Sequence, residues 1–218
     1  MTLRVLAMDA ALARCSVAVV EDGVVLAQRS QDTARGHAAL LPVMVRDVLV
    51  DTPGALDFVA VTVGPGSFTG IRAGLALAHG IALSLGVPVV AVTVGEALAA
   101  ALPDLNGRPL WSAIDSRRDR VFLEIGGIVT AYDLNALPVP TGPIAIAGDA
   151  SIQVTARLAA RDFDVILTNV RLPSAWAIAA AGAERFAGRL PPRDAQPLYV
   201  DPPEAKLPAG GLRPPPTA

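Results

Sequence analysis

The sequence predicts an α/β fold of two lobes, each a mixed sheet flanked by helices, with the second lobe reduced. The first hundred residues run strand, strand, strand, helix, strand, helix, strand, helix. A short antiparallel meander feeding strand–helix units in this way builds a mixed sheet covered by helices. A proline-bracketed segment, 103–109, interrupts the pattern, and a shorter series of strands and helices restarts behind it. The 218 residues are 52% hydrophobic and 17% charged, enough apolar content for such a core and far from a disordered composition. The expected division is 1–103, 104–207 and a proline-rich tail, 208–218.

Strands are expected at 3–9, 15–21 and 24–30, the last two joined by Asp22-Gly23, a tight-hairpin dipeptide. Residues 36–50 read as a helix with Leu40, Leu41, Val43, Met44, Val45, Val48 and Leu49 as its apolar positions. Pro42 fits a helix only in the first turn, which places the regular helix start near Ala39. A strand at 57–63, a glycine–proline turn at 64–66, a helix at 67–85 and a strand at 88–92 follow. Thr93 and Glu96 have capping-box spacing and open a helix through Leu102. Beyond 109, strands are expected at 110–114, 120–125, 144–147 and 164–167, and helices at 150–160 and 174–188. Prolines dominate from 191 onward; 210–218 reads as dispensable, and Pro197-Leu198-Tyr199-Val200 as an anchored strand or turn.

Residues 73–95 carry no charge and are long enough to span a bilayer. They also contain His79, Gly86 and Pro88, and end in Val89-Val90-Ala91-Val92, so a buried helix followed by a core strand explains them better than a membrane span. The apolar start of the chain is too short for a secretory core, and the cytoplasm is the expected compartment. Net charge is −2, which offers no basic face for gripping nucleic acid. The single cysteine, Cys15, excludes an intramolecular disulfide and reads as a small buried hydrophobe.

The most informative stretch is Val63-Gly64-Pro65-Gly66-Ser67-Phe68-Thr69-Gly70-Ile71-Arg72. A strand runs into a glycine-rich turn and then a helix that Ser67 or Thr69 can cap. Two readings stand: an anion site at a helix N-terminus, or a tight turn with a capped helix. It lacks the lysine and spacing of a phosphate loop and is not the dinucleotide fingerprint, which favours the turn. In the helix, Gly70, Gly74, Ala78 and Ala82 recur every fourth residue, with Ala73, Ala76 and Gly80 alongside. Glycine costs a helix roughly 1 kcal/mol relative to alanine, so a second backbone is expected to come close, either this chain's own sheet or a helix of another subunit.

The element order of the first hundred residues resembles the ribonuclease H-like lobe shared by actin, hexokinase and Hsp70 relatives (the ASKHA fold). More specifically, Leu6-Ala7-Met8-Asp9, then Cys15-Ser16-Val17-Ala18, then His37 with Leu40-Leu41-Pro42, resembles the opening of the bacterial TsaB (YeaZ) family. Gly64 to Arg72 with Gly74-Leu75 is similar to that family's signature turn and helix. Asp115-Ser116-Arg117-Arg118 and Pro197 to Val200 are similar to its motifs in the second lobe. The resemblance implies membership of the glycoprotease-like (Gcp) branch of the actin/Hsp70 superfamily and a non-catalytic role. The implied partners are a TsaD-like catalytic subunit and a TsaE-like ATPase, which together move threonylcarbamoyl to the tRNA adenosine beside the anticodon. It implies no cofactor for this chain alone and ATP used by the complex through other subunits; the lack of a basic face makes any contact with tRNA indirect, and a helix surface left uncovered without its partner can pair two copies of the isolated chain as a homodimer. It also implies pairing through the helices at 36–50 and 67–85, with Leu40, Leu41, Met44, Val48, Gly70, Ala73, Gly74, Leu77 and Ala78 as interface residues.

The residues agree with a non-catalytic chain. Superfamily ATPases cradle phosphate with an Asp-x-Gly-Ser/Thr turn; here Asp9-Ala10-Ala11-Leu12 lacks both glycine and hydroxyl, leaving Asp9, Gly64 and Gly66 as a vestigial nucleotide turn. His37 and His79 fall on different helices with no second histidine one turn away, so no metal is expected. Gly66-Ser67-Phe68 lacks the spacing of a nucleophile elbow. A kinase or ATPase of the actin-like fold and a peptidase are the alternatives.

Overall fold

A computed structural model describes residues 2–33, 36–102, 104–116 and 120–200. The first half forms β1 (Arg4–Asp9), β2 (Arg14–Glu21), β3 (Val24–Asp32), α1 (His37–Asp51), β4 (Phe58–Gly64), α2 (Phe68–Leu85), β5 (Val89–Thr93) and α3 (Val94–Ala100). The second half forms β6 (Leu110–Asp115), β7 (Arg120–Ile125), β8 (Ile128–Asp133), β9 (Ile144–Ala147), α4 (Ser151–Ala159), β10 (Val165–Leu167) and α5 (Ala175–Phe186).

The strands make two five-stranded sheets, ordered β3-β2-β1-β4-β5 and β10-β9-β6-β7-β8. In each, a three-strand antiparallel meander continues into two parallel strands. The two sheets therefore share one topology, the mixed-sheet duplication that the sequence predicts. Among the described residues the second half has no helix between β8 and β9 where the first has α1, which is the sense in which it is reduced.

Period-two alternation sorts the first sheet's side chains onto two faces. Leu6, Met8, Val17, Val19, Val59 and Val61 face α1 and α2, while Val5, Ala7, Ala18, Val20, Phe58 and Ala60 face α5. Helix α5 thus crosses from the chain's second half onto the first sheet. Its inner face is Ile178, small alanines and Gly182, where even a methyl group would stand 3.0 Å from Ala60 Cβ, and Phe186 stacks on Phe58 at 4.7 Å between centroids. Glu124 on β7 ties the halves together, accepting hydrogen bonds from Thr93 Oγ1 (2.6 Å) and the Gly95 amide (3.1 Å) at the start of α3. Thr93 and Glu96 form the expected reciprocal capping box.

Three elements depart from expectation. Helix α1 starts at His37, not near Ala39, with Gly36 in the left-handed region at its start, so Pro42 sits in the second turn. The penalty is limited because Pro42 and Ala38, whose carbonyl it leaves without an amide partner, both lie on the solvent side. Strand β8 is an addition; the Gly126-Gly127 pair before it is a two-residue hairpin signal that its mixed residues obscured. Helix α3 ends at Ala100 rather than Leu102. Helix α2 is long and apolar enough to cross a membrane; only one face of it, Gly70, Ile71, Gly74, Leu75, Ala78 and Ala82, is buried against the first core, so it is half-covered rather than the fully buried helix expected. The tail, 201–218, lies outside the described residues, as do Arg117 and Arg118.

Candidate functional site

Two regions hold the sequence-predicted residues: the turn joining β1 to β2 where it meets the start of α2, and the outward faces of α1 and α2.

Asp9 closes β1 with no exposed surface. Its Oδ1 accepts from the Ala11 amide (2.9 Å) and from Thr62 Oγ1 (2.5 Å) on β4, while Oδ2 has no hydrogen-bond partner among the described residues. Burial pushes the carboxyl up to about 6 from its ordinary 3.8, against the opposing pull of Thr62, the Ala11 amide and the charge of His37. The same burial, helped by Asp9, raises the neighbouring Cys15 thiol to about 11, consistent with an inert core cysteine.

The start of α2 is filled by the chain itself. The Ser67 amide donates to Ala11 O (2.7 Å), the Gly70 amide to Ser67 Oγ (3.2 Å), and the Ile71 amide to Ser67 O (2.9 Å). Ser67, not Thr69, is the cap. Two amides at this turn, those of Ser67 and Gly70, are thus committed to a carbonyl and a hydroxyl of the protein. Gly66 has φ +152°, a conformation glycine tolerates best, and a side chain there would overlap Ala11 O. Gly70 has no such strain, but a Cβ would overlap Ala10 O and meet His37 Nδ1 at 3.2 Å. Asp9, Gly64 and Gly66 do come together, as a packed junction between β1, β4 and α2. Gly64 lies against Ile71 and the backbone of Leu198 rather than beside an open cradle.

A carboxyl whose folded pKa lies above its unfolded value holds its proton more tightly when folded. Its stabilising contribution is complete below about pH 4 and is lost as pH rises through about 6. Asp9→Asn keeps an acceptor for Ala11 and Thr62 and removes the buried charge. It is expected to stabilise the fold by on the order of 2–3 kcal/mol at pH 8 and to change it little at pH 4. Denaturant titrations at the two pH values check this; an equal effect at both would contradict it.

The predicted interface residues divide. Leu41, Met44 and Val48 on α1 and Gly70, Gly74 and Ala78 on α2 turn inward, onto the first sheet and each other's helix. This corrects the expectation that they meet a partner: the four-residue repeat of small residues serves close packing on this chain's own sheet. Gly74 faces Val61 (3.6 Å) and Leu41 (3.9 Å). Leu40, Ala73 and Leu77 are half-buried at the edge of that core. The outward faces carry residues that the expected interface left out: Val43 (46% exposed) and Val50 (73%) on α1, Ala76, Gly80 and Leu83 (86%) on α2.

One flank of α2 is held at the edge of that core by residues 195–200. Leu198 donates its amide to Val63 O (2.8 Å), and His79 Nε2 donates to Ala195 O (2.9 Å). Tyr199 accepts from Arg72 Nε (2.9 Å) and Nη2 (2.6 Å) through its hydroxyl. Pro197 to Val200 is anchored as expected, and His79 is a surface tie rather than a packed residue. His37 opens α1, buried, with Nε2 donating to Thr33 O (2.8 Å). The Phe68–Arg72 spacing of four was visible in the sequence; their meeting with Tyr199 across 127 residues was not.

Comparison with known proteins places this arrangement. Residues 25–131 match the family model described as TsaD, tRNA N6-adenosine threonylcarbamoyltransferase. The chain is 36% identical over 124 residues to the tRNA threonylcarbamoyladenosine biosynthesis protein TsaB of Escherichia coli K12, covering 55% of this chain and 53% of that one. It spans about half the length of the curated relatives it matches. A solved structure of YeaZ from Pseudomonas aeruginosa superposes with TM-score 0.74 at 28% identity, over 90% of this chain and 99% of that one. A second, described as an uncharacterized protein with similarity to peptidase YEAZ from the same organism, gives 0.76 at 26%, over 91% and 100%.

Proposed function

Since the chain belongs to the bacterial TsaB (YeaZ) family, we propose that it serves tRNA threonylcarbamoyladenosine formation as a non-catalytic subunit supporting a TsaD-like catalytic chain. The observation that carries the non-catalytic reading is the packed junction at Asp9. Where an actin-like ATPase opens a phosphate cradle, the Ala11 carbonyl here takes the Ser67 amide, the Ser67 hydroxyl takes the Gly70 amide, and Gly66 and Gly70 press against the Ala11 and Ala10 carbonyls. The chain then takes no nucleotide of its own, and ATP enters through a TsaE-like ATPase.

The proposed contact with the catalytic chain is the outward surface of α1 and α2: Val43 and Val50 on the first helix, Ala73, Ala76, Leu77, Gly80 and Leu83 on the second, with Leu40 at the edge. Gly80 has open space where a side chain would stand, so a partner helix can approach its backbone closely. Two helices from each subunit then pack together, and the same apolar surface pairs two copies when the partner is absent. Contact with tRNA runs through the catalytic chain.

The test is reconstitution. The chain alone is expected to transfer no threonylcarbamoyl group and to hydrolyse no ATP. The catalytic chain with the ATPase, threonylcarbamoyl adenylate, ATP and tRNA is expected to need this subunit for sustained transfer. ATP turnover by the isolated chain that disappears on Asp9→Ala would instead support a kinase-like enzyme.

A further inference from the structure

We propose that Arg72, clamped between Phe68 and Tyr199, is the anchor through which the α2 surface receives a carboxylate of its protein partner; this rests on the partner-subunit role above. The guanidinium carbon lies 3.5 Å from the Phe68 ring centroid and 5.6 Å from that of Tyr199, and the two rings are 6.2 Å apart. Both Arg72 hydrogen bonds go to the neutral Tyr199 hydroxyl. Several other arginines are matched to acids, among them Arg4 to Glu21, Arg14 to Asp32, Arg108 to Asp164, Arg185 to Glu96 and Arg189 to Glu184, while Arg161 and Arg171 bond backbone carbonyls. Among the described residues no carboxylate lies within ion-pair distance of Arg72, although the side chain is exposed.

An arginine stacked in this way has already surrendered much of its rotational freedom, so binding an anion costs less ordering than for a loose side chain. The composition fits an anchor too: arginine and tyrosine are enriched among the few residues that dominate protein interfaces, and Phe68 and Tyr199 are about half exposed beside it. A guanidinium held by Nε and one Nη keeps its remaining donors for a carboxylate. A nucleic-acid phosphate is the poorer match. Polyanion binding draws on an array of cations, whereas the chain carries net charge −2 and its arginines are mostly paired.

The experiment is calorimetric titration of the TsaD-like subunit into the wild-type chain and the variants Arg72→Glu, Arg72→Gln and Arg72→Lys, at low and high salt, with thermal melts of each. Arg72→Glu is expected to weaken binding about 100-fold or more, and Arg72→Lys about 10-fold, since the ammonium keeps the charge but not the planar fork. The affinity of Arg72→Gln is expected to lose part of the wild-type salt dependence and, as a neutral replacement, reports on the anchor even if Arg72→Glu melts early. Wild-type affinity in a folded Arg72→Gln or Arg72→Glu overturns this inference and leaves the subunit role standing. Failure of the wild-type chain to bind overturns both. Loss of tRNA binding by the isolated chain with protein binding unchanged would make the ligand a phosphate and overturn the proposal.

Discussion

Gly70→Ala is expected to destabilise the fold by at least ~3 kcal/mol, whereas Gly74→Ala, one turn later in the same helix, is expected to be neutral or to stabilise it by up to ~1 kcal/mol. Both glycines are buried in α2, Gly70 in its first turn and Gly74 in its interior. The difference is what stands opposite. A methyl group on Gly70 overlaps the carbonyl oxygen of Ala10, a backbone atom of the turn that follows β1 and that the Ala11–Ser67 hydrogen bond holds against α2, and it also crowds His37. Relief requires α2 to lift from the β1–β2 turn, which breaks the junction around Asp9. On Gly74 the methyl meets Val61 and Leu41 at 3.6 and 3.9 Å, ordinary contact distances, so helix propensity decides the sign. Gly74→Leu is a different matter, since a leucine would be driven into that core and the monomer would be overpacked. Urea unfolding of the alanine variants measures the contrast; equal midpoints would show that the turn yields easily.

How much of this was legible in the sequence depended on how far chemistry marks each position. Strands β1, β2 and β4 are apolar runs between strong punctuation, Asp22-Gly23 and Gly64-Pro65-Gly66, and their order alone yields the mixed sheet. The Thr93–Glu96 capping box stands at its expected place because it is a local device of fixed spacing. The orientation of α2 was not legible. Alanine, glycine and leucine surround this helix, so its pattern scarcely separates inside from outside, and a repeat of small residues fits its own sheet as well as a partner. The same ambiguity misassigned Met44 and Val48 on α1, whose apolar residues exceed what one face can hold; the excess, Val43 and Val50, is what reaches solvent. The Asp9 environment was half legible. The missing glycine and hydroxyl of the turn could be read, but the pairing of Asp9 with Thr62 joins strands 53 residues apart.

Charge at the outward helix faces is expected to have the largest functional effect. Val43→Asp and Leu83→Asp each place a carboxylate on a surface that already faces water, so neither disturbs the core and stability is expected to change by no more than ~0.5 kcal/mol. At a packed helix–helix interface the same carboxylates lose their water without gaining a partner, a cost of several kcal/mol for the pair. The double variant should therefore melt like wild type and fail to assemble. Substitutions at Met44 or Val48 cannot make this separation, because they damage the monomer first.

The most direct measurement is tRNA threonylcarbamoylation reconstituted from the catalytic chain, the ATPase and this chain as wild type or Val43→Asp/Leu83→Asp, with assembly followed by size-exclusion chromatography of the same mixtures. A stable complex and sustained transfer are expected with wild type, and a folded double variant that elutes alone and leaves transfer at the level seen without this subunit. A folded double variant that assembles and supports transfer like wild type would contradict the account and place the working surface elsewhere on the molecule.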